Sequence, residues 1–139
     1  MKQRESISKI MQANVHTVHS GQKLSEVYEL MGEQHVHHVP VVDGRRLVGL
    51  LSSIDLMRFS YGNVYAQDVQ TAKLALDLTS IREAMTEDVV TLSERATVKE
   101  AVDKLGVGNL HALPVVDAEG GLVGIVTSTD LIRFLGEQY

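Results

Sequence analysis

The chain has no cysteine and no tryptophan in its 139 residues. Without thiols there is no disulfide framework, no thiolate nucleophile and no thiolate metal site. With two phenylalanines and four tyrosines, it lacks the aromatic platform on which single-stranded nucleic acid stacks. Thirteen Lys and Arg face eighteen Asp and Glu, for a net charge of −5, so there is no basic field for a phosphate backbone. No window approaches the ~18 apolar residues of a membrane helix, and the opening Met1-Lys2-Gln3-Arg4-Glu5-Ser6 lacks the apolar run of a signal peptide. Also missing are a Gly-x-Ser-x-Gly elbow and a lysine-bearing phosphate loop. These absences predict a soluble, cytoplasmic protein that is not an enzyme and binds neither nucleic acid nor membrane.

What is present is said twice. Residues 47–59 read LVGLLSSIDLMRF and residues 122–134 read LVGIVTSTDLIRF, with eight of thirteen positions identical. Upstream, a shift of 74 aligns Ser6-Ile7 with Ser80-Ile81, Met11 with Met85, and His37-His38-Val39-Pro40-Val41-Val42-Asp43 with His111-Ala112-Leu113-Pro114-Val115-Val116-Asp117. The only two prolines are partners in this alignment. Hydrophobic residues make up 44%, enough for a real core. The chain is therefore read as a duplication: a first repeat over 6–58, a partly helical connector over 59–79, and a second repeat over 80–134.

Each repeat reads β-α-β-β-α. Val15–Val18 is β-branched and predicts a short strand. Leu24, Val27, Leu30 and Met31 have helical spacing. Its counterpart Val98–Leu105 follows Thr97, with Glu100 completing a capping box, and Ser80-Ile81-Arg82-Glu83 repeats that signature. Val39–Val42 and Leu47–Leu51 flank Asp43-Gly44-Arg45-Arg46, where glycine permits the turn. Asp117–Gly121 makes the same turn one residue longer. Pro40 and Pro114 are expected at strand starts. In the connector, Phe59–Asn63 predicts a turn, and Gln67–Leu78 places Val69, Leu74 and Leu78 at loose helical spacing.

The Val/Leu-Pro-Val-Val-Asp strand, the Gly-apolar-apolar-Ser/Thr-x-x-Asp stretch and the apolar-x-Thr first strand resemble a tandem pair of CBS domains, often called a Bateman module. The resemblance covers residues 6–58 and 80–133. It implies an α/β (α+β) fold of two repeats packed about a pseudo-two-fold axis. It also implies two inter-repeat clefts that bind adenosine compounds (AMP, ADP, ATP or S-adenosylmethionine) as regulatory ligands, with no obligatory cofactor. By the same resemblance, one cleft combines Thr17, Val36, His37 and His38 with Thr127, Thr129 and Asp130. The other combines Thr91, Leu110, His111 and Ala112 with Ser52, Ile54 and Asp55. The histidines stand where the family commonly has smaller residues.

Residue chemistry is compatible with this and with plainer readings. An ionised Asp55 or Asp130 offers acceptors to a ribose diol, and the helix N-terminus beneath it suits phosphate oxygens. Equally, Ser52-x-x-Asp55 and Thr127-x-x-Asp130 are capping-box spacings with a structural role. Thr17 and Thr91 suit any strand. His37 and His111 could donate to a phosphate or simply pack at an interface. His35, His37 and His38 have metal-ligand chemistry, but neither cysteine nor many carboxylates accompany them. Arg58 and Arg133 are spaced for helical pairs with the aspartates. Three functions follow: a nucleotide-sensing regulatory module, an interaction scaffold with empty clefts, and a histidine-cluster metal protein. The first two require a regulated partner protein that the sequence does not name. Leu56, Met57, Leu131 and Ile132 on the final helices predict a homodimer. The hydroxyls of Thr17, Thr127 and Thr129 and the paired histidines predict tighter binding at Asp130 than at Asp55.

Overall fold

A computed structural model describes residues 4–60 and 69–139, with the side chains of residues 69 and 70 outside that description. A 3-10 turn at Ile7–Lys9 precedes α1 (Leu24–Gln34), β1 (His38–Asp43), β2 (Arg46–Ser52) and α2 (Ser53–Ser60). Then come α3 (Val69–Asp77), α4 (Ile81–Ala84), β3 (Leu92–Ser93), α5 (Val98–Leu105), β4 (Ala112–Val116), β5 (Leu122–Thr127) and α6 (Ser128–Glu137). The fold is α+β. Its compact units do not coincide with the repeats: one is His16–Asp88, the other Met1–Val15 with Val89–Tyr139.

In the His16–Asp88 unit, β1 and β2 form an antiparallel hairpin with a bulge at Val41/Val42. The turn is made by Gly44 at φ 62°, a conformation that costs glycine little. Val39, Val41 and Leu51 are fully buried with Leu24 and Val27 of α1 and Ile81 of α4. The helix α3 joins this core through Leu76, while Leu74 and Leu78 are 66% and 87% exposed. The predicted connector helix thus exists but buries a different leucine. Its Lys73 pairs with Glu29 of α1; that hydrogen bond and the neighbouring negative charge raise the Lys73 pKa. Tyr61, Gly62, Asn63 and Gln67 lie outside the described residues.

The other unit repeats the plan. β4 and β5 pair antiparallel with a bulge at Val115/Val116, and β3 adds a parallel strand beside β4. Leu92, Leu113, Val115 and Val126 are buried with Ala101 and Leu105 of α5. Thr97 and Glu100 form the predicted capping box at α5. At α4, by contrast, Ser80 accepts from the Glu83 N–H at 3.1 Å and donates to Glu83 Oε1 at 3.2 Å.

Each unit holds the opening segment of the repeat that supplies the other's hairpin. Ile7 is fully buried with Leu92 and Leu113, its N–H bonded to Ala96 O at 2.9 Å. Behind it, Met11 crosses Gly124, where an added Cβ would stand 2.7 Å from Met11 Sδ and 3.1 Å from Gln12 O. Met85 crosses Gly49 in the same way. The invariant-looking Leu-Val-Gly of both repeats is therefore a seat for a methionine.

The first strands are shorter than the β-branched run suggested. Val18 makes only an isolated parallel bridge to Val41, and β3 spans two residues. Pro40 and Pro114 are the reason, and they sit inside their strands rather than at the starts. Val18 donates to Pro40 O (3.1 Å) and accepts from Val42 N (2.9 Å). In that register the next rung back would need a proline N–H, which does not exist. Thr17 and Thr91 accordingly precede the ladder.

Candidate functional site

Within each unit the hairpin delivers a short strand end beside the N-terminus of a helix. In the His16–Asp88 unit, His38 pairs with Ser52 in the β1–β2 register, and Ser53 N–H donates to His37 O at 2.9 Å. This locks His37 and His38 beside the turn into α2. There Ser52 N–H (2.8 Å) and Ser52 Oγ (2.9 Å) both donate to Asp55 Oδ2, while Asp55 N–H donates back to Ser52 Oγ at 3.1 Å. The reciprocal cap that the spacing allowed is formed. Asp55 Oδ1 points elsewhere, with Arg58 Nη1 at 3.9 Å.

Thr17 and His37 are exposed, Val36 and Asp55 are half-buried, and Ile54 is 61% exposed. Val36 packs against the core from its rim. Val36 and His37 also line an open pocket of about 470 Å³ between α1 and α2, together with Tyr28, Met31, Leu56 and Met57. His38 is held by an interaction of its own within the structure.

The other unit builds the same corner. Ala112 pairs with Thr127, and Ser128 N–H donates to His111 O at 3.1 Å. Thr127 N–H (2.8 Å) and Thr127 Oγ1 (3.0 Å) donate to Asp130 Oδ2, and Asp130 N–H donates to Thr127 Oγ1 at 3.3 Å. His111 and Thr129 are exposed, Leu110 and Thr91 half-buried, and Ala112 buried. The Thr91 carbonyl accepts from Lys104 Nζ at 2.9 Å.

Asp130 has a further partner that no local spacing in the sequence announces. Gln12 Nε2 donates to Asp130 Oδ1 at 3.0 Å, and Arg133 Nη1 stands 3.7 Å from the same oxygen. Asp130 is only 5% exposed. The signal that could have found Gln12 is its alignment with the much shorter Thr86.

Each corner can thus hold a carboxylate in a fixed rotamer and present polar side chains at a strand–helix junction. Thr17, Val36, His37 and His38 share a unit with Ser52, Ile54 and Asp55. Thr91, Leu110, His111 and Ala112 share the other with Thr127, Thr129 and Asp130. Among the described residues no group of three His, Asp or Glu side chains is placed to hold a metal, so His35, His37 and His38 are not brought together as a ligand set. No helix among them is long and apolar enough to cross a membrane.

A family model described as CBS domain matches residues 7–62 and 81–137. Homoserine O-acetyltransferase of Methanohalobium evestigatum is 30% identical over 132 residues, which is 94% of this chain and 24% of that protein. The structure of protein MJ1225 from Methanocaldococcus jannaschii superposes with a TM-score of 0.83 at 26% identity, covering 97% of this chain and 49% of that one. The CBS domain pair of protein MJ0100, solved with 5′-methylthioadenosine and S-adenosyl-L-methionine, gives 0.79 at 29% identity over 96% of this chain and 98% of that one. The chain spans about a quarter of the acetyltransferase and half of MJ1225.

Proposed function

The chain belongs to the CBS domain family, and from that premise we propose that it is a regulatory module that senses adenosine-containing nucleotides. The observation that carries this is the doubled corner: twice, a hairpin ends in a hydroxyl-x-x-Asp turn that fixes a carboxylate at a helix N-terminus. A carboxylate oxygen suits a ribose hydroxyl, and exposed histidines beside it suit phosphate oxygens as donors. The adenosine ligands of the MJ0100 pair support the choice of chemistry. The ligand residues we propose are Thr17, Val36, His37, His38, Ser52, Ile54 and Asp55, with Thr91, Leu110, His111, Ala112, Thr127, Thr129 and Asp130. Val36 and Leu110 would face the purine.

The proposed role is regulatory rather than catalytic, in the cytoplasm, acting on a separate protein partner and as a homodimer. Enzymes that match do so over a small part of their length, which supports a sensing portion rather than an active site. The cavity between α1 and α2 favours a second reading, in which the module works as an interaction scaffold through that face.

Calorimetry and thermal shift with AMP, ADP, ATP and S-adenosylmethionine separate the two. Saturable binding of at least one, weakened by Asp55→Asn or Asp130→Asn, is the expected result. Asparagine can keep its oxygen on the cap while replacing the outer acceptor with N–H₂. Each lost bond to a charged acceptor is worth ~1.5–3 kcal/mol, or roughly ten- to a hundredfold in affinity. Binding of none of the four would favour the scaffold.

A further inference from the structure

The two corners share a backbone plan, and one of the differences between them falls on the outer oxygen of the aspartate. Gln12 and Thr86 are repeat partners, and each is paired by two backbone hydrogen bonds to the glycine-following residue of a hairpin. Gln12 exchanges bonds of 2.8 and 3.0 Å with Ile125; Thr86 exchanges bonds of 3.0 and 2.9 Å with Leu50. From this common platform the glutamine side chain reaches the aspartate and the threonine side chain is too short to follow.

The consequence falls on the outer carboxylate oxygen. Both Oδ2 atoms are saturated by their capping residues. Asp130 Oδ1 already accepts the Gln12 carboxamide at 3.0 Å, and its side chain is 4% exposed. Among the described residues, Asp55 Oδ1 has only Arg58 at 3.9 Å, and its side chain is 15% exposed. A ribose hydroxyl can approach Asp55 Oδ1 without an amide in its way, whereas at Asp130 it competes with the Gln12 amide for an oxygen that is almost fully buried.

We propose that Gln12 is a built-in competitor for the Asp130 carboxylate, which makes Asp55 the stronger acceptor for an adenosine ligand. The inference rests on the adenosine reading above and reverses the order suggested by counting hydroxyls and histidines. Gln12 is itself exposed, so its carboxamide has solvent to swing into. The Asp130 corner stays usable, with its affinity reduced by about tenfold for the one charge-assisted bond given up.

The test is calorimetry of the full chain with AMP and with S-adenosylmethionine, comparing wild type with Gln12→Thr, Asp55→Asn and Asp130→Asn. Threonine already occupies the equivalent bridge at position 86, so Gln12→Thr keeps the fold. Asp55→Asn should remove the tighter event and Asp130→Asn the weaker one, which Gln12→Thr should strengthen about tenfold. In parallel, the Gln12 side-chain amide resonance should move when the weaker event saturates. The inference is overturned if Gln12→Thr leaves both events unchanged or weakens either, if Asp130→Asn removes the tighter one, or if the Gln12 amide does not move. Binding of neither probe by any of the four proteins overturns the adenosine reading, and this inference with it.

Discussion

A carboxylate that caps a helix has one oxygen committed to the backbone and one left for other work. At Asp55 and Asp130 the commitment was readable, because a hydroxyl three residues ahead of an aspartate is a local pattern. The fate of the other oxygen was not readable, because the Gln12–Asp130 bond joins residues 118 apart in sequence. Thr97→Ala removes the exposed capping box of α5, and because Thr97 is not among the proposed ligand residues, chemical denaturation should show a loss of about 1 kcal/mol with ligand affinity unchanged. Asp130→Ala should cost more in the same assay, ~1–3 kcal/mol beyond the cap, since it strands the Thr127 N–H, the Thr127 hydroxyl and the Gln12 amide together. Equal losses for the two variants would mean that Gln12 simply turns to water.

Elements were legible wherever their signal was local. Thr97 and Glu100 announced α5, and glycine marked both hairpin turns. The hairpins themselves followed from their Val-rich runs. What failed did so for identifiable reasons. The Val15–Val18 run has strand chemistry, but Pro40 cannot supply the N–H for its next rung. In the connector Val69, Leu74 and Leu78 have only loose helical spacing, whereas packing against α1 and α2 buries Leu76. The glycines of Leu-Val-Gly read locally as part of a motif, whereas in the fold Met11 and Met85 lie across them. Gly124→Ala should therefore destabilise the protein by ~1–3 kcal/mol, the usual range for overpacking. Gly49→Ala should cost less, because every close atom it meets belongs to the flexible Met85 side chain, whereas Gly124 also faces the backbone oxygen of Gln12. Urea midpoints at unchanged slope would measure both. A larger loss at Gly49 would show that Met85 is the more rigid of the two methionines.

Apolar side chains on several helix surfaces are left uncovered within each unit. Of Leu56, Met57, Leu131 and Ile132 on the final helices, some are expected to face another copy. The structure divides them: Leu56 is buried and Leu131 packs against the core, while Met57 is 51% and Ile132 69% exposed. A single exposed apolar side chain means little. Here, though, repeat-equivalent positions are exposed in both units, Tyr28 with Met57 in one and Val102 (40%) with Ile132 in the other. The duplication has thus preserved two apolar surfaces that neither core needs, as a self-associating surface would require. A stable dimer buries ~800 Å² per partner, about a tenth of the 8831 Å² that the chain exposes. Light scattering at tens of micromolar should show a dimer of the full chain. Met57→Glu and Ile132→Glu each place a charge on an exposed position, so the fold should hold while the dimer weakens at least tenfold, the equivalent of ~1.4 kcal/mol. Wild-type protein that remains monomeric at that concentration would rule out the dimer. If both glutamate variants dimerise as wild type does, the contact lies on some other face.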